Sequence, residues 1–109
     1  VVASCAYGWI ASLTLKLETS RRELERLALQ DSLTGLSNRR AAMKQLEEWG
    51  AQPAPIALAI ADIDFFKRVN DRLGHDGGDA SLVHFAAMLR RLLPPSWLIA
   101  RIGGEEFLI

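Results

Sequence analysis

An α/β layer fold is what this 109-residue chain predicts, and three observations predict it. A short apolar run, Ile56 to Ala61, has the length and composition of a strand buried on both faces, and it stops at Asp62. Helical periodicity stands on either side of it, in Arg39 to Trp49 before and in Phe65 to Leu73 and Ala80 to Leu93 after. Two further apolar stretches, Leu98 to Ile102 and Phe107 to Ile109, flank the pair Gly103-Gly104 and read as a hairpin. The expected order is helix, strand, helix, helix, strand, strand.

Taken from the start, Val1 to Leu15 carries no charge. It falls short of the ~20 apolar residues of a spanning helix, so it reads as the inner end of a longer membrane helix. Tyr7 and Trp9 suit an interface, and Lys16, Arg21 and Arg22 suit a cytoplasmic exit. A buried amphipathic helix of a sensory domain is the plainer reading, and Val2-Ala3-Ser4-Cys5 also has the form of a lipoprotein cleavage box. Lys16 to Gln30 is a polar helix. Leu13, Leu17, Leu24 and Leu27, with Ser20 at the skipped position, form a seam suited to a parallel pair of helices. Packing against its own domain is the alternative.

Asp31-Ser32 interrupts that helix, Gly35 allows a turn, and Ser37 or Asn38 can cap the next helix, Arg39 to Trp49. There Ala42, Met43, Leu46 and Trp49 share one side, and a loop with two prolines, Gly50 to Pro55, follows. After the first strand, Asp62 and Asp64 sit where open α/β sheets hold their ligands, with Asp64 placed to accept the free amides of the next helix. On that helix Phe66, Val69 and Leu73 form the apolar stripe, and Lys67, Asn70 and Asp71 lie on another face. Gly74, Gly77 and Gly78 break the helix and turn the chain before Asp79. Ala80 to Leu93 turns Leu82, Val83, Phe85, Ala86, Leu89, Leu92 and Leu93 inward, and Pro94-Pro95 ends it.

A hairpin beside the first strand brings Glu105 to the tip held by Asp62. Two carboxylates meeting there suit Mg²⁺, which takes a few protein oxygens and leaves other positions to phosphates. The glycine pair lets a phosphate chain approach backbone amides. Composition narrows the partners. Half the residues are hydrophobic, enough for a core, and thirteen basic residues cancel thirteen acidic ones, which argues against a nucleic-acid surface. The single cysteine, Cys5, excludes an internal disulfide and fits a reducing compartment. With no initial methionine and an apolar strand at its end, the chain reads as a piece cut at both ends.

Four blocks in order resemble one family. They are Asp31-x-Leu33-Thr34-Gly35-Leu36-x-Asn38-Arg39-Arg40; Asp62-Ile63-Asp64-x-Phe66-Lys67-x-x-Asn70-Asp71; Gly74-His75-x-x-Gly78-Asp79; and Arg101-x-Gly103-Gly104-Glu105-Glu106-Phe107. Together they are similar to the GGDEF-domain diguanylate cyclases, over Asp31 to Ile109, roughly the first half of such a domain. The resemblance implies a palm-like, ferredoxin-related nucleotidyl cyclase fold, preceded here by a long helix. It implies condensation of two GTP into cyclic di-GMP with release of pyrophosphate, each of two facing domains holding one GTP.

Carried over by position, Asp62, Glu105 and the backbone carbonyl of Ile63 would coordinate Mg²⁺, with Mn²⁺ as a substitute. Glu105 and Glu106 would form the catalytic centre. Asn70 and Asp79 would read guanine, whose ring N–H and amino group both donate to a carboxylate, a pattern adenine lacks. Phe65, Phe66 and Lys67 would present amides and a cation to the phosphates, and Gly103 and Gly104 would pass close to the nucleotide. The ring of Phe66 reads as core, His75 as a turn residue satisfying local backbone, and Arg39 and Arg40 as pins between domain and linker. The family's Arg-x-x-Asp product-inhibition site is replaced here by Pro94 and Trp97, so none is expected.

The organisation that follows has residues 1–15 as the end of a transmembrane helix, 16–30 as a coiled-coil signalling linker, and 31–109 as a partial catalytic domain. It implies a homodimer formed through linker helices and facing catalytic domains. It also implies a membrane tie through the N-terminal segment at the bacterial inner membrane, with catalysis on the cytoplasmic side. Lacking the second half, these residues alone are expected to be inactive and to leave the terminal strand with an unpaired edge. A non-catalytic GTP- or cyclic-di-GMP-responsive module is the alternative; a structural α/β domain whose acids only cap helices is a third.

Overall fold

The computed structural model describes residues 2–109. Its first helix, α1 (Val2–Ala28), runs unbroken through the uncharged and the polar segments, and none of its residues is buried. Arg21 and Arg26 are ion-paired along it to Glu18, Glu25 and Glu23, so these cations are occupied within the helix itself. Leu13, Leu17, Leu24 and Leu27 all face solvent. No helix among the described residues is long and apolar enough to cross a membrane.

α1 ends at Ala28, earlier than Asp31-Ser32, because the returning chain takes its last carbonyls. Asn38 gives its side-chain amide to the Ala28 carbonyl (2.8 Å) and its backbone N–H to Leu29 (3.0 Å). Between them Asp31 to Leu36 form a tight turn, with Gly35 at φ +71°. Ser37–Asn38 is a two-residue strand, β1, which is too short to show any periodicity in the sequence. Asn38 then caps α2 (Arg39–Gly50), its Oδ1 accepting from the Ala41 amide at 2.9 Å.

The remaining strands are β2 (Ile60–Asp62), β3 (Ala100–Arg101) and β4 (Glu106–Leu108), and the sheet order is β1-β3-β4-β2. β1 is parallel to β3; β3–β4 and β4–β2 are antiparallel, so the terminal strand β4 is paired on both sides and, against expectation, exposes no edge. Strand alternation sends Phe107 and Leu108 to opposite faces. On one face Phe107 packs with Leu36, Phe66, Leu82, Ala86 and Leu89, and its ring meets that of Phe85 edge-on at 4.8 Å. On the other, Leu108 packs with Ala42 and Ala100 beneath α2. The chain is thus a mixed α/β fold with helices on both faces of a small sheet.

Three expectations need correction. The first strand is not buried on both faces: it begins later, is an edge of the sheet, and leaves Ile56, Leu58 and Ile60 exposed. Its ladder reaches back to Ala59, which exchanges two hydrogen bonds with Ile109. Next, the glycines do not open a loop. α3 (Phe66–Leu92) is two helical segments meeting at Gly74 alone, whose φ of 72° and ψ of −179° only glycine adopts readily. Finally, the inward faces are narrower than the pattern suggested. Leu82, Ala86 and Leu89 are buried, while Leu73, Val83, Leu92 and Met43 face solvent.

Gly77 and Gly78 lie just past the kink, inside the helix, and serve close packing. A Cβ on Gly77 would lie 2.3 Å from the Leu73 Cβ, an atom with no freedom to move aside. Gly77→Ala is therefore expected to cost about 1–3 kcal/mol, seen as a fall in Tm of at least about 4 °C. Gly50→Ala is the control. Its Cβ meets nothing within 4 Å, so Tm should hold or rise.

Candidate functional site

The candidate site forms where the β2–β4 ladder runs out. Ala59 and Ile109 exchange both hydrogen bonds, and the next such positions along the register are Ala61–Phe107 and Ile63–Glu105. At that last position only half the exchange is made. The Ile63 amide donates to the Glu105 carbonyl at 3.4 Å, but nothing comes back to the Ile63 carbonyl, which accepts no hydrogen bond among the described residues. The position between is Asp62 opposite Glu106, a non-hydrogen-bonded pair in which side chains of one face stand close.

Directly opposed carboxylates repel, and no ion pair or hydrogen bond within the described residues relieves them. The Glu106 carboxylate folds over Gly103, within 3.3 Å of where a Cβ would lie. Asp62 thus faces Glu106, while Glu105 sits across from Ile63, one position further out. Two carboxylates with a free backbone carbonyl are donors of the kind that suits a hard divalent cation. Among the described residues no three His, Cys, Asp or Glu side chains gather closely enough to hold a metal ion by themselves.

Beyond Ile63 the chain enters α3 without the expected cap. Asp64 does not accept the helix amides. The N-cap position is Phe65, in the left-handed region, with no side-chain hydrogen bond. The amides of Phe65, Phe66 and Lys67 donate to no protein group among the described residues. A carboxylate cap would compete with an anionic ligand here; its absence leaves the positive end of the helix open. Phe66 is buried in the core through its ring, as expected, while Lys67 is exposed beside the free amides.

The kink at Gly74 folds the two segments of α3 together and brings Asn70 against Gly78. A Cβ on Gly78 would lie 1.9 Å from the Asn70 Oδ1. The Asn70 carboxamide thus lies on the backbone of Gly78, the residue before Asp79. His75 falls in the second helical segment, exposed, and its side chain forms no hydrogen bond within the described residues, contrary to its reading as a turn residue.

The glycine bend is held from outside. Neither Gly103 nor Gly104 has a positive φ, so the bend does not need glycine for its backbone. At Gly104 nothing lies within 4 Å of where a Cβ would be, which leaves open approach. Arg101 donates from Nε and Nη2 to the Gly104 carbonyl (3.2 and 2.9 Å) and from Nη1 to Asp31 (3.2 and 3.4 Å). Burial alone would push the Asp31 carboxyl up. Two hydrogen bonds from Thr34 (2.7 and 2.8 Å) and the Arg101 guanidinium hold it below the usual carboxylate value. Sequence reasoning gave this pair no role, and no local pattern could have done so, since its members are 70 residues apart.

The family described as diguanylate cyclase, GGDEF domain, matches residues 28–109. Diguanylate cyclase DgcP of Pseudomonas aeruginosa is 46% identical over 86 residues, covering 75% of this chain and 13% of that protein. Cyclic di-GMP phosphodiesterase PdeB of Shewanella oneidensis is 40% identical over 90 residues, covering 83% and 10%. The chain thus spans about a tenth of the length of each of these two relatives. The crystal structure of the coiled coil and GGDEF domain of DgcB from Caulobacter crescentus, in complex with c-di-GMP, aligns with a TM-score of 0.71 at 37% identity, covering 91% of this chain and 56% of that one.

The Asp31–Arg101 pair makes a pH prediction. A carboxyl held low when folded contributes stability above the unfolded value, about 3.9. That contribution is lost as pH falls through its lower folded value. Asp31→Asn should destabilise the chain by about 1–3 kcal/mol at pH 7. Urea melts at pH 7 and pH 3 check it: the gap to wild type should narrow at pH 3, and an equal gap at both would exclude an ionised pair.

Proposed function

Since this chain belongs to the diguanylate cyclase GGDEF domain family, we propose that it is the GTP- and metal-binding part of an active diguanylate cyclase. Two GTP would join, the 3′-hydroxyl oxygen of each attacking the α-phosphorus of the other. Two pyrophosphates would leave, and cyclic di-GMP would result. The observation that carries this reading is the unfinished ladder at Ile63 and Glu105, with Asp62 and Glu106 opposed one position back and the Ile63 carbonyl and three helix amides unengaged beside it. Repelling acids next to unused amides make sense with a cation and a phosphate chain between them.

In this reading Asp62, Glu105 and the Ile63 carbonyl would hold Mg²⁺ or Mn²⁺. When bound, the ion supplies positive charge against the triphosphate and eases deprotonation of the attacking hydroxyl. The chain's own residues do the rest. Phe65, Phe66 and Lys67 bind phosphate oxygens through amides and a cation. Glu105 and Glu106 form the acidic centre at the bend, and Gly103 and Gly104 keep it clear for nucleotide. Asp79 accepts from the guanine N–H and amino group while Asn70 donates and accepts along the same base, which selects GTP over ATP.

The wider organisation belongs to the same proposal. The exposed leucine seam of α1 would pair two copies so that two such domains face one another. The uncharged N-terminal segment would tie the assembly to the bacterial inner membrane, with catalysis on its cytoplasmic side. Pro94 and Trp97 leave no Arg-x-x-Asp site for product feedback. A second reading, a nucleotide-responsive module without turnover, is favoured by one finding: PdeB, a relative named as a phosphodiesterase, carries a similar segment.

GTP turnover by the full-length protein with Mg²⁺ separates the two. Asp62→Asn should lower kcat at least about a hundredfold, and Asp79→Asn should raise KM for GTP at least about tenfold. Tight GTP binding without turnover by the wild type would favour the second reading instead.

A further inference from the structure

Phe65 has the one positive φ of any non-glycine residue among the described residues (φ 57°, ψ 28°). A left-handed backbone is unfavourable for a bulky aromatic residue, so something must hold it. Core packing does not: the ring is 68% exposed and belongs to neither core cluster. Arg68, one helical turn on, is in contact with it. Its amide donates to the Phe65 carbonyl at 2.9 Å, and its guanidinium lies over the Phe65 ring, 4.5 Å from the centroid. Arg68 makes no ion pair and no side-chain hydrogen bond within the described residues.

The backbone consequence matters for the ligand. A left-handed residue followed by a right-handed helical one turns successive N–H groups to the same side and makes a concave anion seat. Phe65 and Phe66 are such a pair, and the amides of Phe65, Phe66 and Lys67 are the unengaged ones. If Phe65 relaxed to an ordinary φ, those amides would diverge.

From this we infer that Arg68 is a positioning residue for the triphosphate. It does not touch the nucleotide. By stacking on the Phe65 ring it keeps that residue left-handed, and so keeps three amides aimed at one point. The inference rests on the reading of this loop as the phosphate edge of a GTP site.

The test is GTP-dependent kinetics on the full-length protein carrying Arg68→Ala, Arg68→Lys, and Arg68→Ala in a Phe65→Gly background. Arg68→Ala should raise KM for GTP about two- to fivefold, with kcat held within about twofold and Tm unchanged. Arg68→Lys, which keeps a cation over the ring, should restore most of the affinity. In the Phe65→Gly background, where positive φ carries no penalty, Arg68→Ala should have no further effect on KM. A wild-type KM in Arg68→Ala overturns the inference. An equal rise in both backgrounds does the same, since Arg68 would then act by its own charge. A wild type that neither binds nor turns over GTP overturns the parent reading, and this one with it.

Discussion

The register between β2 and β4 is the constraint from which the rest of the molecule follows, and Phe107 sets it. That side chain is fully buried, opposite Ala61 and edge-on to Phe85. Side chains on a strand alternate with a period of two. A slip by one residue would therefore turn Phe107 to the opposite face and bring Glu106 into the core. Burying a phenylalanine is worth about 1.5–3 kcal/mol, and burying an unpaired carboxylate costs several more, so competing registers are strongly disfavoured. The same choice fixes what stands at the sheet's end: Asp62 across from Glu106, and Ile63 across from Glu105 with its carbonyl free. The geometry of the candidate site is thus a by-product of core packing two residues away.

The site's other wall is set by a longer path. α1 has no buried residue, so its direction depends on the contacts at its exit. Asn38 joins the last turn of α1 to the first turn of α2 by one hydrogen bond from each end of its carboxamide. Three residues past the end of α1, Asp31 holds Arg101, and Arg101 holds the Gly104 carbonyl inside the bend that carries Glu105. These contacts are in series, and both charged members are largely buried, with side chains 19% and 17% exposed. A pair so placed responds to displacement more than a surface pair does, because solvent screens it less.

The sequence made the fold class legible because its strongest signals concern burial. The periodicities of α2 and of the second half of α3 marked Ala42, Leu82, Ala86 and Leu89, all buried. The apolar run ending on β4 marked Phe107 and Leu108. Where reasoning fell short, non-local contacts decided. β1 has two residues and exists because β3 pairs with it. Ile56, Leu58 and Ile60 looked like a buried strand by composition, but exposure depends on neighbours no pattern names. Gly77 and Gly78 carry the composition of a turn yet lie in a helix, since small size matters there for the approach of Leu73 and Asn70. Asp64 had the right type and place for a cap, and the left-handed turn at Phe65 took the chain elsewhere. The acids, amides and glycines of the site were all visible as residues; only their pairing was not.

Locally unfavourable features are not spread evenly over this chain. Phe65 is left-handed, the helix it opens is uncapped, Gly74 takes a backbone only glycine tolerates, two acids face each other across a ladder, and the ladder stops half made. All lie at the sheet's end or in the helix that leaves it. Each has a simpler alternative: an Asp or Ser cap at Phe65, a Lys or Thr opposite Asp62, a helix that runs on through Gly74. The junction at Asp31 shows that the same chain can satisfy polar groups closely when stability is all that is asked, with Thr34, Arg101 and Leu36 each supplying or taking a bond. Unrelieved acids beside unengaged amides are complementary to one kind of object, an anion carried with a divalent cation. Concentrating both at one end of a well-packed sheet is what sets the candidate site apart from a merely stable surface.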